Sequence, residues 1–248
     1  MKRLGLMALL TVAAPALAFD PAAMTDAERD AFRAEVRAYL LEHPEVLQEV
    51  ATALEIKQQS EQLAADASMI SDNQGLIFDD GASFVGGNPD GSLTVVEFID
   101  YRCGYCRKAH AEVAELIRSD GDIRYVVKEF PILGEQSVLA SQFAIATLQS
   151  AGPEAYEKVK NGFYDGTFRG DVSAETLAGY ATSLGLDSAA IMGRMSDPAV
   201  MKVIEDNHAL ASMLQISGTP TFVLGDSMIR GYVPLDQMRA IVAEEREG

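Results

Sequence analysis

Side chains that bind metals are scarce in this sequence, which has only two cysteines and three histidines among its 248 residues. A structural zinc site needs four nitrogen or sulfur ligands, and His110 is the only histidine near the cysteine pair along the chain. The ten methionines are scattered without a Met-x-x-Met cluster. These absences argue against a zinc site and give no support to a methionine-based metal site.

Basic residues are also scarce, with 20 Lys and Arg against 37 Asp and Glu and a formal net charge of −17. So acidic a surface repels phosphate groups, and we therefore expect neither nucleic acid nor an anionic membrane as a partner. After residue 18 there is no long uncharged apolar run, so we expect no membrane insertion.

The first eighteen residues have the pattern of a secretory signal peptide. Two basic residues, Lys2 and Arg3, precede an apolar run over residues 4–12, and Ala-Leu-Ala at 16–18 is a small-x-small cleavage signal. The apolar run is too short to span a bilayer as a finished helix. We therefore predict that residues 1–18 are removed during export to a compartment where disulfides form and persist.

The two cysteines, Cys103 and Cys106, form a Cys-x-x-Cys motif between an apolar run and a helical pattern. Residues 93–99 predict a strand covered on both faces, and residues 103–117 predict a helix. A strand that delivers this motif to a helix is typical of redox sites, because the helix N-terminus stabilises a thiolate at the first cysteine. Cys103 is then the attacking sulfur and Cys106, one turn deeper, the resolving one.

Two other interpretations of the motif remain open. It can be half of a zinc site, although the chain offers few further ligands. It can also be an inert structural disulfide, although a three-residue separation closes too small a loop to stabilise the fold much through chain entropy.

Glu97 lies six residues before Cys103 on the predicted strand, on the same face as Val95 and Ile99. Burial in an apolar strand would raise its pKa and let it accept and return the proton of Cys106. The alternative is an acid at the strand end that reaches solvent.

Substrate contacts are predicted at two places. Within the motif, Gly104 allows a close backbone approach and Tyr105 adds no charge. Thr219 precedes Pro220, which opens a later strand, and a cis bond there would let the Thr219 backbone meet an extended substrate segment. The sequence alone gives only weak support for a cis bond.

Three separated motifs, at residues 98–107, 130–133 and 218–222, together resemble the DsbA-type thioredoxin fold of bacterial periplasmic thiol–disulfide proteins. The match covers about residues 80–248. Residues 39–47 are similar to the N-terminal region of the suppressor-of-copper-sensitivity protein C group and its Com1-like relatives.

The resemblance implies an α/β thioredoxin fold with an inserted helical domain, preceded by a pair of amphipathic helices. The expected order is a signal peptide (1–18), an N-terminal helical oligomerisation region (19–70), a connector and domain entry (71–92), and a thioredoxin-fold domain (93–130 and 216–248) interrupted by a helical insertion (131–215). Helices are predicted near 136–151, 154–163, 174–184, 187–195 and 199–214 within the insertion.

Shorter signals are predicted elsewhere in the chain. Residues 25–28 have the pattern of a capping box, with Thr25 as N-cap and Glu28 at the third helical position. Residues 76–78 and 83–85, between turn signals, could be short extended pieces. A strand over residues 123–128 implies a parallel crossover through the helix that begins at Cys103, and strands at 221–224 and 228–229 predict a hairpin.

The resemblance also implies roles for individual residues. Cys103 becomes the attacking cysteine, Cys106 the resolving one, Glu97 the buried acid, and Thr219-Pro220 the cis-proline loop. The family's strong oxidases carry Pro-His between the cysteines, whereas this chain has Gly-Tyr. That difference argues against a strongly oxidising potential.

We therefore predict a periplasmic thiol–disulfide oxidoreductase, acting as a disulfide isomerase or reductase, with no cofactor beyond the redox-active disulfide Cys103–Cys106. Its expected partners are unfolded or misoxidised secreted proteins and a membrane thiol–disulfide redox partner. Two amphipathic helices within residues 25–70 are expected to hold a homotrimer. The alternatives are a copper(I)-binding protein that uses both cysteines and a monomeric DsbA-like disulfide oxidase.

Overall fold

The computed structural model describes residues 23–247, which fall into two compact units, one ending at Gln58 and the other beginning at Gln59. The predicted signal peptide lies outside the described residues. Within residues 23–247, no helix is both long enough and apolar enough to cross a membrane.

The first unit contains helix α1 (Asp26–Glu42) and the beginning of helix α2 (Glu45–Asp72). Thr25 and Glu28 form the predicted capping box, in which the Glu28 carboxylate accepts hydrogen bonds from the Thr25 N–H and hydroxyl at 2.8 and 2.7 Å. No residue of α1 is buried. Four of its large apolar side chains, Phe32, Val36, Tyr39 and Leu41, are exposed.

The structure corrects the predicted end of the helical region at residue 70 and the connector after it. Helix α2 continues to Asp72, and its residues from Gln59 onward belong to the second unit, where Ile70 is fully buried. Residues 76–78, predicted as extended, instead form helix α3 (Gln74–Phe78), whose Ile77 is also fully buried. The polar residues before Gly75 mark a short break between two helices, and both helices place isoleucine in the same core.

A five-stranded mixed sheet lies at the centre of the second unit. Its strands are β1 (Phe84–Gly87), β2 (Leu93–Ile99), β3 (Ile123–Glu129), β4 (Thr221–Leu224) and β5 (Ser227–Arg230), in the spatial order β1-β3-β2-β4-β5. Strands β2 and β3 are parallel, and every other neighbouring pair is antiparallel. The predicted crossover, through helix α4 (Gly104–Asp120), and the predicted terminal hairpin are both confirmed.

Apolar clusters cover both faces of the sheet, as the continuous apolar run of β2 predicts. Val95 and Ile99 point into the larger cluster, together with Cys106. Val96 and Phe98 alternate to the opposite face, where they join Ile70 and Ile77 and the residues at the end of helix α9.

Ten helices are described in residues 23–247, and five of them form the insertion between β3 and β4 at the predicted positions. Gly152-Pro153 separates the first two, because proline suits the first helical turn and glycine adopts the positive φ of 84° that precedes it. The remaining helices are α4 (Gly104–Asp120), α5 (Glu135–Ala151), α6 (Pro153–Asp165), α7 (Ala174–Ser183), α8 (Ser188–Arg194), α9 (Pro198–Met213) and α10 (Leu235–Glu247).

Candidate active site

Cys103 is the N-cap of helix α4, directly after the turn that follows β2. Its sulfur accepts a hydrogen bond from the Cys106 N–H at 3.5 Å, so it lies against the first turn of the helix. The unpaired N–H groups and the positive end of the helix dipole favour a negative charge at this position. The predicted placement of the first cysteine at the start of the helix is therefore confirmed.

Cys106 lies one turn further along α4 and is almost completely buried, with 1% of its surface exposed. Burial is the main cause that raises the pKa of its thiol far above the usual range, and the nearby charge of Glu97 raises it further. Both cysteines are thiols in this structure. Because Cys106 has a strongly raised pKa, it needs a proton acceptor before it can act as a nucleophile.

The loop before β4 faces the attacking sulfur. The Thr219-Pro220 peptide bond is cis, as the family resemblance implied. The thiol of Cys103 donates a hydrogen bond to the Thr219 carbonyl oxygen at 3.1 Å. Sequence positions 103 and 219, although 116 residues apart, therefore meet in one site.

Glu97 is buried, with 3% of its surface exposed, and does not reach solvent. Its carboxylate accepts a short hydrogen bond from the Tyr125 hydroxyl on β3. Burial raises the pKa of Glu97 to about 7, while the Tyr125 hydroxyl and the Lys160 ammonium oppose that rise. Of the two interpretations of Glu97 that the sequence left open, the structure supports the buried acid.

The positive neighbours of the motif are held by other groups. The Arg107 guanidinium donates to the carbonyl oxygens of Phe163 and Tyr164 at 3.1 Å. Lys108 lies over the Tyr232 ring, with its ammonium 4.0 Å from the ring centroid. A positive charge beside the motif would favour a thiolate at Cys103, and that contribution of Arg107 and Lys108 stays a prediction.

The two residues between the cysteines face solvent, and Tyr105 is 64% exposed. A side chain at Gly104 would meet open space, so this face leaves room for a partner chain. Ile132 and Leu133, which follow the Phe-Pro motif, are also exposed apolar residues. The predicted contact residues therefore present an accessible surface, with Thr219 half-buried and Pro220 buried beside it.

Asp100 holds together the turn that presents Cys103, and it is a residue that sequence reasoning missed. Its buried carboxylate accepts hydrogen bonds from the N–H groups of Arg102, Ile132 and Leu133 at 2.7 to 2.9 Å. The Ser137 hydroxyl donates a fourth at 2.8 Å. Its position one residue after a buried strand was the available signal, because an acid there can accept the free N–H groups of a turn.

Glu129, at the end of β3, was also missed. It is buried, with 3% exposure, and its pKa is raised to about 7, mainly by burial. The charged pair Lys128-Glu129 inside an apolar strand was the available signal, since both charges need partners when the strand is covered on both faces. Lys128 finds its partners in the Asp80 carboxylate and the Leu76 carbonyl oxygen, both at 2.7 Å.

Among residues 23–247, no group of three or more His, Cys, Asp or Glu side chains is arranged to hold a metal ion.

Two family models match the sequence. A thioredoxin model matches residues 79–244, which is more than half of the chain. A model described as the copper resistance protein ScsC N-terminal domain matches residues 28–61. The two matches correspond to the catalytic part and to the N-terminal helices.

Solved structures are similar over the same regions. A thioredoxin-like oxidoreductase from Silicibacter pomeroyi is 37% identical, with a TM-score of 0.65, and the alignment covers 71% of this chain and 99% of that one. ScsC from Proteus mirabilis in a transitional conformation is 27% identical, with a TM-score of 0.64, and the alignment covers 91% of this chain and 98% of that one.

Curated relatives include longer proteins. A Na(+)/H(+) antiporter NhaA from Herminiimonas arsenicoxydans is 29% identical over 163 residues, which are 65% of this chain and 25% of the antiporter. The chain thus spans about a quarter of the length of that relative.

Proposed function

This chain belongs to the thioredoxin family, and on that premise we propose that it is a thiol–disulfide oxidoreductase that isomerises or reduces disulfides in protein substrates. One observation carries the proposal: the Cys103 sulfur lies between the N-terminus of α4 and the Thr219 carbonyl oxygen, in reach of both. A sulfur held there can be a thiolate and can meet an extended peptide.

In the first step the Cys103 thiolate attacks one sulfur of a substrate disulfide. The substrate S–S bond breaks, a Cys103–substrate disulfide forms, and the other substrate sulfur leaves as a thiolate. For isomerisation that thiolate attacks a different substrate disulfide, so that a new substrate S–S bond forms, the old one breaks and another substrate thiolate is released. This thiolate then attacks the substrate sulfur of the mixed disulfide, a second substrate S–S bond forms, and Cys103 leaves as the thiolate with which it began.

In the reductive branch, Cys106 resolves the mixed disulfide. The Cys106 thiol gives its proton to the Glu97 carboxylate, and the resulting thiolate attacks the Cys103 sulfur. The Cys103–Cys106 disulfide forms and the substrate leaves as a second thiolate. An external dithiol then has to reduce the protein again, and we assign this task to a membrane thiol–disulfide redox partner.

The substrate class follows from the surface around Cys103. Tyr105, Ile132 and Leu133 offer exposed apolar contacts, and the Thr219 backbone lies beside the reactive sulfur. An unfolded or misoxidised secreted protein supplies both apolar side chains and extended backbone. We place the reaction in the periplasm, because residues 1–18 have the signal-peptide pattern.

The test uses the full chain and two serine variants. Cys103→Ser is expected to lose scrambled-ribonuclease refolding and insulin reduction. Cys106→Ser is expected to keep the first attack and to accumulate mixed disulfides with substrate. Equal turnover by the unmodified chain and Cys103→Ser would contradict the proposal.

A second assay isolates the resolving step. Cys103 is converted to a mixed disulfide with thionitrobenzoate, and the release of the coloured thiolate by Cys106 is followed in a single turnover. We call this the resolution assay. Release that persists in Cys106→Ser would remove Cys106 from the mechanism.

We further propose that the N-terminal helices hold a homotrimer. The first unit exposes eight large apolar side chains, and its α1 and α2 residues line a groove of about 440 Å³. Self-association would bury them. The exposed residues are Phe32, Val36, Tyr39, Leu41, Leu47, Val50, Leu54 and Ile56.

Light scattering tests the assembly on the full chain and on a variant that lacks residues 19–58. The full chain is expected to be a trimer and the shortened variant a monomer that still oxidises small thiols but no longer refolds scrambled ribonuclease. A monomeric full chain would refute this part of the proposal.

A further inference from the structure

Glu129 is a second buried carboxyl group on the side of the sheet that faces the cysteines, and the reaction described above does not use it. Its carboxylate accepts hydrogen bonds from the hydroxyls of Tyr101 and Tyr156 at 2.6 Å and of Ser141 at 2.7 Å. Three hydroxyl donors from three different segments hold this group in one position. A carboxylate held so firmly inside the core has either a packing role or a role in the site.

The register of the sheet places Glu129 close to Glu97. In the parallel β2–β3 pair, Val127 is opposite Glu97 and Glu129 is opposite Ile99, so both carboxyls point to the same face, two positions apart. Lys160 on α6 is buried on that face, with its ammonium 4.8 Å from the centre of the Tyr125 ring. Tyr125 is opposite Val95, so Lys160 lies on the face of the sheet to which both carboxyl groups point.

The groups that surround the two acids come from every packed element. Around Glu97 they are Cys106 on α4, Tyr125 on β3, and Lys160 and Tyr164 on α6. Around Glu129 they are Asp100 and Tyr101 in the turn, Ser141 on α5, and Tyr156 and Lys160 on α6. His110 on α4 lies near Lys160, and burial lowers its pKa to about 4, so it is neutral in the relevant range.

The charges of this cluster are coupled. Burial lowers the pKa of Lys160, and the charges of Glu97, Glu157 and Glu129 oppose that effect. Burial raises the pKa of both Glu97 and Glu129 to about 7. When Glu129 ionises, it competes for the same ammonium and repels a negative charge at Glu97.

Glu129 also connects to the turn that carries Cys103. The Tyr101 hydroxyl donates a hydrogen bond to the Glu129 carboxylate, and Tyr101 lies two residues before Cys103. The Tyr101 ring packs against the rings of Phe163 and Tyr164, with centroid distances of 4.6 and 5.3 Å. The Asp100 carbonyl oxygen accepts a hydrogen bond from the Cys103 N–H at 3.0 Å. Glu129 is therefore in contact with the turn that holds the attacking cysteine.

We propose that Glu129 is a positioning residue of the exchange reaction: its charge, on the same face of the sheet as Glu97 and two register positions away, sets how readily Glu97 takes the proton of Cys106. The inference rests on the proposed function. In the step concerned, the proton passes from the Cys106 sulfur to the Glu97 carboxylate, the Cys106–Cys103 bond forms and the Cys103–substrate bond breaks. Glu129 neither gives nor receives a proton in it.

The test compares Glu129→Gln with Glu154→Gln. The first removes the buried charge while an amide can still accept the tyrosine hydroxyls and donate to Ser141. The second removes an exposed carboxylate from the first turn of α6, the helix that carries Lys160, and solvent screens the effect of that charge. Carbon-13 NMR of labelled glutamate side chains follows the Glu97 titration, and the resolution assay follows its kinetic consequence.

Glu129→Gln is expected to lower the titration midpoint of Glu97 by at least about half a pH unit, a roughly threefold change in proton affinity. The pH profile of the resolution assay should move in the same direction by the same amount. Glu154→Gln should leave both unchanged. Tyr156→Phe removes one donor to Glu129, keeps that group protonated to higher pH, and should move Glu97 in the same direction by less.

An unchanged Glu97 midpoint in a folded Glu129→Gln protein would overturn the inference and leave Glu129 with a packing role. If Glu129→Gln does not fold, an unchanged Glu97 midpoint in Tyr156→Phe would overturn the inference in the same way. Failure of the proposed function has a different signature, since thionitrobenzoate release would then not depend on Cys106 in the unmodified chain.

Discussion

Replacing Glu97 with glutamine tests the proton acceptor of the resolving step most directly. With a pKa of about 7, the Glu97 carboxyl is about one-tenth ionised one pH unit below that value and about nine-tenths ionised one unit above it. Only the ionised form accepts a proton. The rate of the resolution assay is therefore expected to rise about tenfold across that range in the unmodified chain.

Glu97→Gln has two opposing effects on Cys106. Removal of the negative charge lowers the pKa of the Cys106 thiol and favours its thiolate, but burial, which is the larger cause of the raised pKa, is unchanged. Loss of the acceptor should therefore prevail. We expect a loss of about a hundredfold above neutral pH, with the remaining rate proportional to hydroxide concentration.

Two further variants sharpen the test. Tyr125→Phe removes a hydrogen bond that lowers the pKa of Glu97, so the profile should move to higher pH without losing its amplitude. Glu115→Gln, a change of the same type on the partly exposed side of α4, should leave the profile unchanged. A rise through neutral pH that persists in Glu97→Gln would show that another group accepts the proton.

Three other predictions concern stability. The folded-state pKa of Glu97 is raised from 4.5 to about 7, so its contribution to the free energy of unfolding is present below about pH 4.5 and is lost as the pH rises to about 7. Urea titrations should therefore show Glu97→Gln gaining stability relative to the unmodified chain across that window, by at most about 3 kcal/mol. Asp80→Asn, which leaves the buried Lys128 without its carboxylate, should cost about 3 kcal/mol in the same measurement, and Lys128→Met should cost less because no buried charge remains. Arg230→Met breaks the bidentate pair that joins β5 to the buried Asp66 of α2, with bonds of 2.7 and 2.8 Å, and should cost about 2 kcal/mol. If this pair anchors the last turns of α2, their amide hydrogen exchange should become faster, and unchanged exchange there would refute that role.

The redox motif and its surroundings could be predicted because local signals were sufficient there. Residues 93–99 alternate between two covered faces, and the helical period begins immediately after Cys103, so the sequence places the cysteines at a strand-to-helix junction. The insertion helices were also predictable, because glycine and proline mark their ends. Each of these inferences depends on residues close together in the chain.

The acid cluster and the end of α2 were not predictable, because they depend on residues far apart. The hydrogen bonds that hold the Glu129 carboxylate form only because Tyr101, Ser141 and Tyr156 converge on it from three segments. The extended form predicted for residues 76–78 failed for a similar reason, since a five-residue helix such as α3 depends on the burial of Ile77 rather than on its own propensity.

The uncharged Gly104-Tyr105 pair and the buried acids have complementary consequences. Without a positive side chain between the cysteines, the Cys103 thiolate depends on the helix N-terminus and on the Cys106 N–H, which are fixed backbone features. In the proposed reaction the proton of Cys106 is then taken up by Glu97, which is buried beneath the motif. Its pKa of about 7 lets it accept and return a proton with similar ease near neutral pH. An exchange protein that both breaks and reforms disulfides needs the proton to move in both directions, and a strongly acidic or strongly basic acceptor would favour only one of them.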